Sequence, residues 1–379
     1  MKPSGPIKVV QIIARMNVGG PAILVADLIR NFDSRVVDSI LVTGYCDQNE
    51  SDYLDEVATD LKAIRLSGLG RSVSLIKDLS AFVLLIKEIR SFQPDVIHTH
   101  TAKAGVLGRV AGLIAAPSAK RVHTFHGHLL NGYFSKSKTQ IVITIEKLLA
   151  LSTARLIAIG NRVKRDLIEV GIGSEAKYEV IFPGLQSLQI HPKSEARQLL
   201  GIESDKTYFV YIGRLAQIKR PDRLLDIARF LKVNYPDSHI LIAGAGELLD
   251  VTKSAAESEK LPVTFLGWRN DIDLILSASD IAILCSDNEG IPLTLIQAAQ
   301  AGLPIVTTNV GSVSDIVIHK TTGLLTETSS KGLTDAITKL LDNESLCGEY
   351  GRAGQKHANR FFTSEAMVKH HERLYSQIV

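Results

Sequence analysis

Glu289, Gly290, Ile291, Pro292, Leu293 and Gln297 lie five to thirteen residues past the end of the apolar run Ile281-Ala282-Ile283-Leu284. A continuous apolar run of that length has the composition of a strand buried on both faces of a parallel sheet. Pro292 suits the first position of a helix and Gly302 can end it, so the segment predicts a strand, a corner and a helix. The first N–H groups of such a helix have no intrahelical partner and can hold an anion. Glu289 beside them accepts hydrogen bonds from hydroxyls, so the expected ligand carries both negative charge and hydroxyl groups.

A second group lies upstream. In Tyr211-Ile212-Gly213-Arg214-Leu215-Ala216-Gln217-Ile218-Lys219, Arg214 and Lys219 occupy a loop after a strand and before the helix Arg223–Val233. Two fixed cations there suit a leaving diphosphate, and a solvated basic loop is the competing reading. Near the N-terminus, Gly19-Gly20-Pro21 joins the first strand to its helix. Paired glycines allow a phosphate close to the helix amides, and equally allow a plain tight turn. Neither a dinucleotide-binding G-x-G-x-x-G at that turn nor a P-loop sequence is present.

Gly244 and the Gly267-Trp268-Arg269 segment each follow a strand. Trp268 or Arg269 can stack on a base, while a half-buried structural Trp remains an equal alternative. Asp271 and Asp273 are spaced like a metal-binding pair, but they precede the helical stretch Asp273–Ala278, where capping is the more economical role. His98, His100, His123, His126 and His128 fall close together. With no Cys among them and no H-E-x-x-H spacing, local hydrogen bonding is expected rather than a metal site, and no cofactor is expected.

These residues need a scaffold, and the chain supplies the grammar of one: short apolar strands alternate with helical stretches throughout, the pattern of an α/β protein with parallel sheets. Strands are expected at Ile7–Ala14, Ser39–Thr43, Ala63–Leu66, Val96–His98, Arg121–Phe125, Leu156–Ile159 and Tyr178–Ile181. A second series runs Tyr208–Ile212, His239–Ala243, Val263–Phe265, Ile281–Cys285, Ile305–Thr307 and Gly323–Leu325. An irregular segment from Phe182-Pro183-Gly184 to His191-Pro192 separates them, and 379 residues exceed one hydrophobic core, so two doubly wound domains follow. The three cysteines, Cys46, Cys285 and Cys347, are isolated, fitting a reducing compartment. The opening residues lack a secretory signal, and a cytoplasmic location is expected.

Residues 1–183 carry 23 basic against 17 acidic side chains and residues 184–379 carry 20 against 23, so the halves differ in sign. Scattered surface charge accounts for this, and an anionic membrane surface or phosphorylated acceptor for the basic half is the sharper alternative. Few aromatics and no recognition motif argue against nucleic acid. The apolar stretch Ile141–Ile159 is broken by Glu146, Lys147 and Arg155 and reads as a helix followed by a strand. Gly132–Lys138 combines aromatic and basic residues in a loop open to a membrane interface, a sugar acceptor or solvent.

The acidic residue of Glu289-Gly290-Ile291-Pro292, with Gln297 eight positions on, resembles the E-x7-E signature of family-4 retaining glycosyltransferases, and Gly213-Arg214-Leu215 with Lys219 resembles that family's diphosphate clamp. The resemblance implies a GT-B fold: two facing Rossmann-like domains with an interdomain cleft. Residues 1–183 would bind the acceptor, the C-terminal helix 365–379 would cross back onto them, and 184–364 would bind the donor. It implies transfer of a sugar, with retained anomeric configuration, from a nucleotide-sugar, a UDP-sugar first, to a glycan or lipid-linked envelope precursor. The inner face of the membrane is then a natural place of work.

On this resemblance Arg214 and Lys219 stabilise the leaving diphosphate, Glu289 orients the donor, and Gly19, Gly20, Gly213, Gly244 and the Gly290–Leu293 backbone line its pocket. His126 resembles the family histidine near the donor sugar, with His128 the competing assignment. The family's second Glu, which binds the donor ribose, is here Gln297, which keeps an acceptor but no charge. That departure keeps two alternatives open: an epimerase or phosphorylase of the same fold, and a non-catalytic nucleotide-binding scaffold.

Overall fold

A computed structural model describes residues 5–48, 50–127 and 136–379. Met1–Gly184 with Ser364–Val379 form one compact unit, and Leu185–Thr363 form another. In the first, seven strands, β1 (Ile7–Ile13), β2 (Val37–Thr43), β3 (Ala63–Arg65), β4 (Val96–His100), β5 (Lys120–Phe125), β6 (Arg155–Ala158) and β7 (Tyr178–Val180), lie in the order β3-β2-β1-β4-β5-β6-β7. All pair in parallel. In the second, β8 (Thr207–Ile212), β9 (Ser238–Ala243), β10 (Val263–Gly267), β11 (Ile281–Leu284), β12 (Ile305–Thr308) and β13 (Gly323–Thr326) form the parallel sheet β10-β9-β8-β11-β12-β13.

Each strand segment expected from the sequence is present. Both sheets are Rossmann-like, and in each the strand order turns back once, between β1 and β4 and between β8 and β11. At such a reversal the loops leaving the strand ends diverge and open a crevice where ligands bind. The positions after β1, β4, β8 and β11 are therefore the ones to inspect.

In the first unit, Val10, Ile12, Val42 and Ile97 of the sheet are covered by Leu85 and Ile89 of the helix Leu75–Phe92 and by Ala104 and Ala111 of the helix Ala102–Ala115. The latter helix lies close to the sheet because of its glycines: a Cβ at Gly112 would meet Ile97 Cδ1 at 2.5 Å. Arg109 on this helix is fully buried, and its Nη2 sits 2.7 Å from both carboxylate oxygens of buried Glu146. Removing one member of such a pair strands a charge in the interior, at a cost of about 3–5 kcal/mol. Glu146→Ala is expected to lower stability by that amount in denaturant titration; a loss below about 1 kcal/mol would mean that water reaches Arg109.

Glu146 belongs to the helix Lys136–Ser152, which with β6 accounts for the apolar stretch Ile141–Ile159. Among the described residues, no helix is long and apolar enough to cross a membrane. The helix Ser364–Ile378 packs in the first unit: Ser364 Oγ donates to Asp27, Glu372 accepts from the Asp33 amide at 2.8 Å, and Tyr375 is fully buried.

Candidate active site

In the second unit the loops after β8 and β11 bring two groups, 70 residues apart in sequence, into contact: Lys219 Nζ lies 2.5 Å from Glu289 Oε1. The same oxygen accepts from Ser286 Oγ at 2.6 Å. Glu289 is buried, and its other carboxylate oxygen has no bond among the described residues. That oxygen can take a ligand hydroxyl. Lys219 is not the free cation expected from sequence, since one of its protons is spent on Glu289. Two remain for a phosphate. Arg214 is exposed and free of side-chain bonds among the described residues.

Pro292 is buried at the N-cap of the helix Leu293–Gln300 and not at its first position, with no side-chain cap. The Leu293 and Thr294 amides lack a protein acceptor among the described residues, as an anion site requires. Gln297 is half-buried and likewise without a side-chain partner there. Gly302, at φ +77°, follows the helix end.

Backbone contacts hold the surrounding loops. Gly213 N donates to Ala243 O at 3.0 Å, Leu215 N to Ala245 O at 2.9 Å and Gly244 N to Gly267 O at 2.7 Å. Gly244 has φ +143° and a Cβ there would stand 2.0 Å from Gly213 O, so only glycine closes this corner. Trp268 is 56% exposed, so part of its ring is open to a ligand while the rest packs on the protein. Arg269 is tied to Asp271, Nε to Oδ1 at 2.7 Å. Of the two residues expected to serve the helix start, Asp271 sits at the N-cap but spends its carboxylate on Arg269, whereas Asp273 accepts from the first-turn Leu274 amide at 3.0 Å, as expected.

Two contributors escaped sequence reasoning. Ser286, in the corner after β11, fixes the Glu289 carboxylate through its hydroxyl. Gly311 has φ +53°, and a Cβ there would lie 1.7 Å from Glu289 O, while Ser312 N donates to Gly290 O at 3.0 Å. The loop after β12 thus locks the Glu289–Gly290 backbone, and a glycine three residues past a strand was the available signal.

In the first unit Gly19 is the N-cap of the helix Gly20–Asn31, and Pro21 lies in its first turn. A Cβ at Gly19 would meet nothing nearer than 3.8 Å, so packing does not demand glycine there. His126, just past β5, is half-buried and bonds through Nε2 to His100 Nδ1 at 2.9 Å. Burial pushes its pKa down to about 3. His98, His100 and His123 are also held neutral by burial and by their mutual proximity, with ring nitrogens bonded to Tyr375, Thr124, Gln11 and Thr99. No group of metal-binding side chains occurs among the described residues. His128 and residues 132–135 of the Gly132–Lys138 loop lie outside the described residues. The Cys285 thiol is buried and pushed up to about 12, an inert group and not a nucleophile.

Residues 18–186 match Glycosyltransferase Family 4, and residues 192–357 match Glycosyl transferases group 1. The chain is 32% identical over 306 residues, 78% of each protein, to the UDP-Gal:alpha-D-GlcNAc-diphosphoundecaprenol alpha-1,3-galactosyltransferase of Escherichia coli. The chain is a family-4 glycosyltransferase. This glycosyltransferase is also 24% identical over 325 residues, 81% of its own length and 83% of the other's, to the capsular polysaccharide biosynthesis glycosyltransferase CapM of Staphylococcus aureus. Its fold matches that of Anabaena Alr3699/HepE in complex with UDP and glucose, with a TM-score of 0.82 at 19% identity, covering 98% of this chain and all of that one. The glycosyltransferase has the GT-B fold expected from the sequence.

Proposed function

We propose that this enzyme transfers a hexose from a UDP-sugar, with retained anomeric configuration, to a lipid-linked precursor of an envelope polysaccharide. The observation that carries the reading is the Lys219–Glu289 pair beside an uncapped helix start at the reversal of the second sheet. Lys219, Arg214 and the amides of Leu293 and Thr294 would stabilise charge growing on the departing diphosphate, and Glu289 would hold donor hydroxyls, so catalysis is electrostatic. No enzyme nucleophile accompanies the set, which favours front-face attack with the leaving phosphate taking the acceptor proton. We assign donor binding to Leu185–Thr363, with the backbone of Gly213, Gly244 and Gly290–Leu293 and the Trp268-Arg269 pair as pocket walls. Acceptor binding falls to the other unit, of which Gly19 and Gly20 would serve a donor phosphate and His126 a hydroxyl of the donor sugar. UDP in the names of the Escherichia coli relative and the Anabaena complex supports the nucleotide, and diphosphoundecaprenol in the former supports a lipid-linked acceptor.

The test is turnover with UDP-galactose and UDP-glucose against polyprenyl-diphosphate sugars, with the product's anomeric configuration read by NMR. An α-linked product from the α-donor is expected; a β-linked product would overturn retention. Release of an epimerised donor without acceptor would identify an epimerase, and phosphate-dependent cleavage a phosphorylase. Gln297→Glu adds a charge-assisted acceptor and is expected to tighten UDP binding about tenfold by calorimetry. Unchanged affinity would remove Gln297 from the ribose contact.

Such an acceptor brings a membrane. Leu75, Ile76 and Leu79 on one helix and Ile141, Leu148 and Leu151 on another are exposed, from 60% to 89%. Their crossovers, β3 to β4 and β5 to β6, run in the same direction along the sheet, which puts both helices on one face. Exposed Lys77, Lys87, Lys138 and Lys147 on these two helices give the apolar layer the charge that anionic headgroups complement. Co-sedimentation with phosphatidylglycerol vesicles, lost in the double variant Leu148→Asp, Leu151→Asp, is expected. Equal recovery of both proteins in the supernatant, or a dimer formed through these leucines, would contradict it.

A further inference from the structure

His126 ends a chain of buried hydrogen bonds that begins on the C-terminal helix, and the chemistry of each link fixes the next. The Gln11 carboxamide is fully buried, with Nε2 3.1 Å from Tyr375 Oη and Oε1 2.8 Å from His100 Nε2. A carboxamide oxygen only accepts, so His100 Nε2 carries the hydrogen. A neutral imidazole has one N–H, which leaves His100 Nδ1 bare, and burial keeps the ring neutral. The 2.9 Å contact from His100 Nδ1 to His126 Nε2 then requires the hydrogen on His126 Nε2. His126 Nδ1 is consequently bare, and this buried atom has no partner among the described residues.

The other end sets the direction. Tyr375 accepts from Gln11 and donates to His98 Nδ1 at 2.6 Å, which leaves His98 Nε2–H for Thr124 Oγ1 at 2.7 Å. Turning the Gln11 amide over would reverse these links and end with an N–H on His126 Nδ1 facing no acceptor. An orphaned buried donor is a costlier defect than an unfilled lone pair.

We propose that Tyr375, through Gln11 and His100, sets His126 in the tautomer whose Nδ1 accepts, so that His126 takes a hydrogen bond from a hydroxyl of the bound sugar and gives none. Tyr375, Gln11 and His100 are positioning residues. The functional half rests on the assignment of His126 to the sugar; the tautomer itself does not.

Full-length protein labelled with 15N-histidine is examined by long-range 1H–15N correlation at pH 7.5, with His126 signals identified by their loss in His126→Asn. The expected result is a protonated Nε2 and a bare Nδ1; a protonated Nδ1 overturns the proposal. Tyr375→Phe keeps the ring and frees the Gln11 amide, and is expected to shift His126 toward the other tautomer. Affinity for UDP-galactose then falls about threefold to tenfold while affinity for UDP stays unchanged. An unaltered His126 signature in Tyr375→Phe overturns the relay, and Gln11→Met tests the same link where that variant does not fold. A changed tautomer with unchanged UDP-galactose affinity upholds the relay and overturns the sugar contact.

Discussion

Lys219→Ala is expected to give a folded protein whose turnover with its nucleotide-sugar falls by about two to three orders of magnitude, the loss typical of removing one fixed group that faces growing transition-state charge. The effect has two sources. The ammonium is lost where the diphosphate departs, and Glu289 loses the cation that pins Oε1 at 2.5 Å, leaving only the Ser286 bond at 2.6 Å to orient a buried carboxylate. Lys219→Arg, which keeps the charge but not the compact ammonium, should recover part of the rate. Steady-state kinetics with thermal unfolding as a control decides it. A rate within threefold of wild type would place the departing charge elsewhere.

Acid should unfold the first unit well before it protonates most of its carboxylates. His98, His100, His123 and His371 are buried and His126 is half-buried, and all five are held neutral, with His126 pushed down to about 3 and His371 to about 4. In the unfolded chain a histidine titrates near 6.5, so the unfolded state binds more protons below that pH. Stability is therefore complete above about pH 6.5 and is lost as pH falls toward the folded values, by up to about 1.4 kcal/mol per pH unit for each histidine. Tm should drop steeply between pH 7 and pH 5 in the transition that Glu146→Ala also lowers. A flat Tm over that interval would mean that these imidazoles are charged in the fold.

The sheets were legible because apolar runs such as Ile281–Leu284 and Val96–His98 carry their period and punctuation with them. Glu289 and Lys219 were legible as candidates because each follows a strand end. Their contact was not, since neither spacing nor composition reports which loops meet. It becomes necessary only once the strand order places β8 beside β11. Ser286 and Gly311 act by a hydroxyl bond and by a close backbone approach, which leave no periodic trace. The histidine cluster was visible as a run of residues, but Tyr375 joins it from 249 residues beyond His126. Asp271 takes the N-cap position expected of it, but its carboxylate is claimed by Arg269 two residues before it, a competition that the capping rule does not report.

The most direct test of the donor site is thermal stabilisation of the purified protein by UDP, UDP-galactose, UDP-glucose and a GDP-sugar at millimolar concentration. A ligand that binds only the folded state raises its stability by RT ln(1 + L/Kd), with L the free ligand concentration, so the gain keeps growing with ligand concentration above Kd. The account predicts selective stabilisation by a UDP-sugar, reduced in Lys219→Ala and in Glu289→Ala. No stabilisation by any of the four, or stabilisation that both variants retain in full, would contradict it.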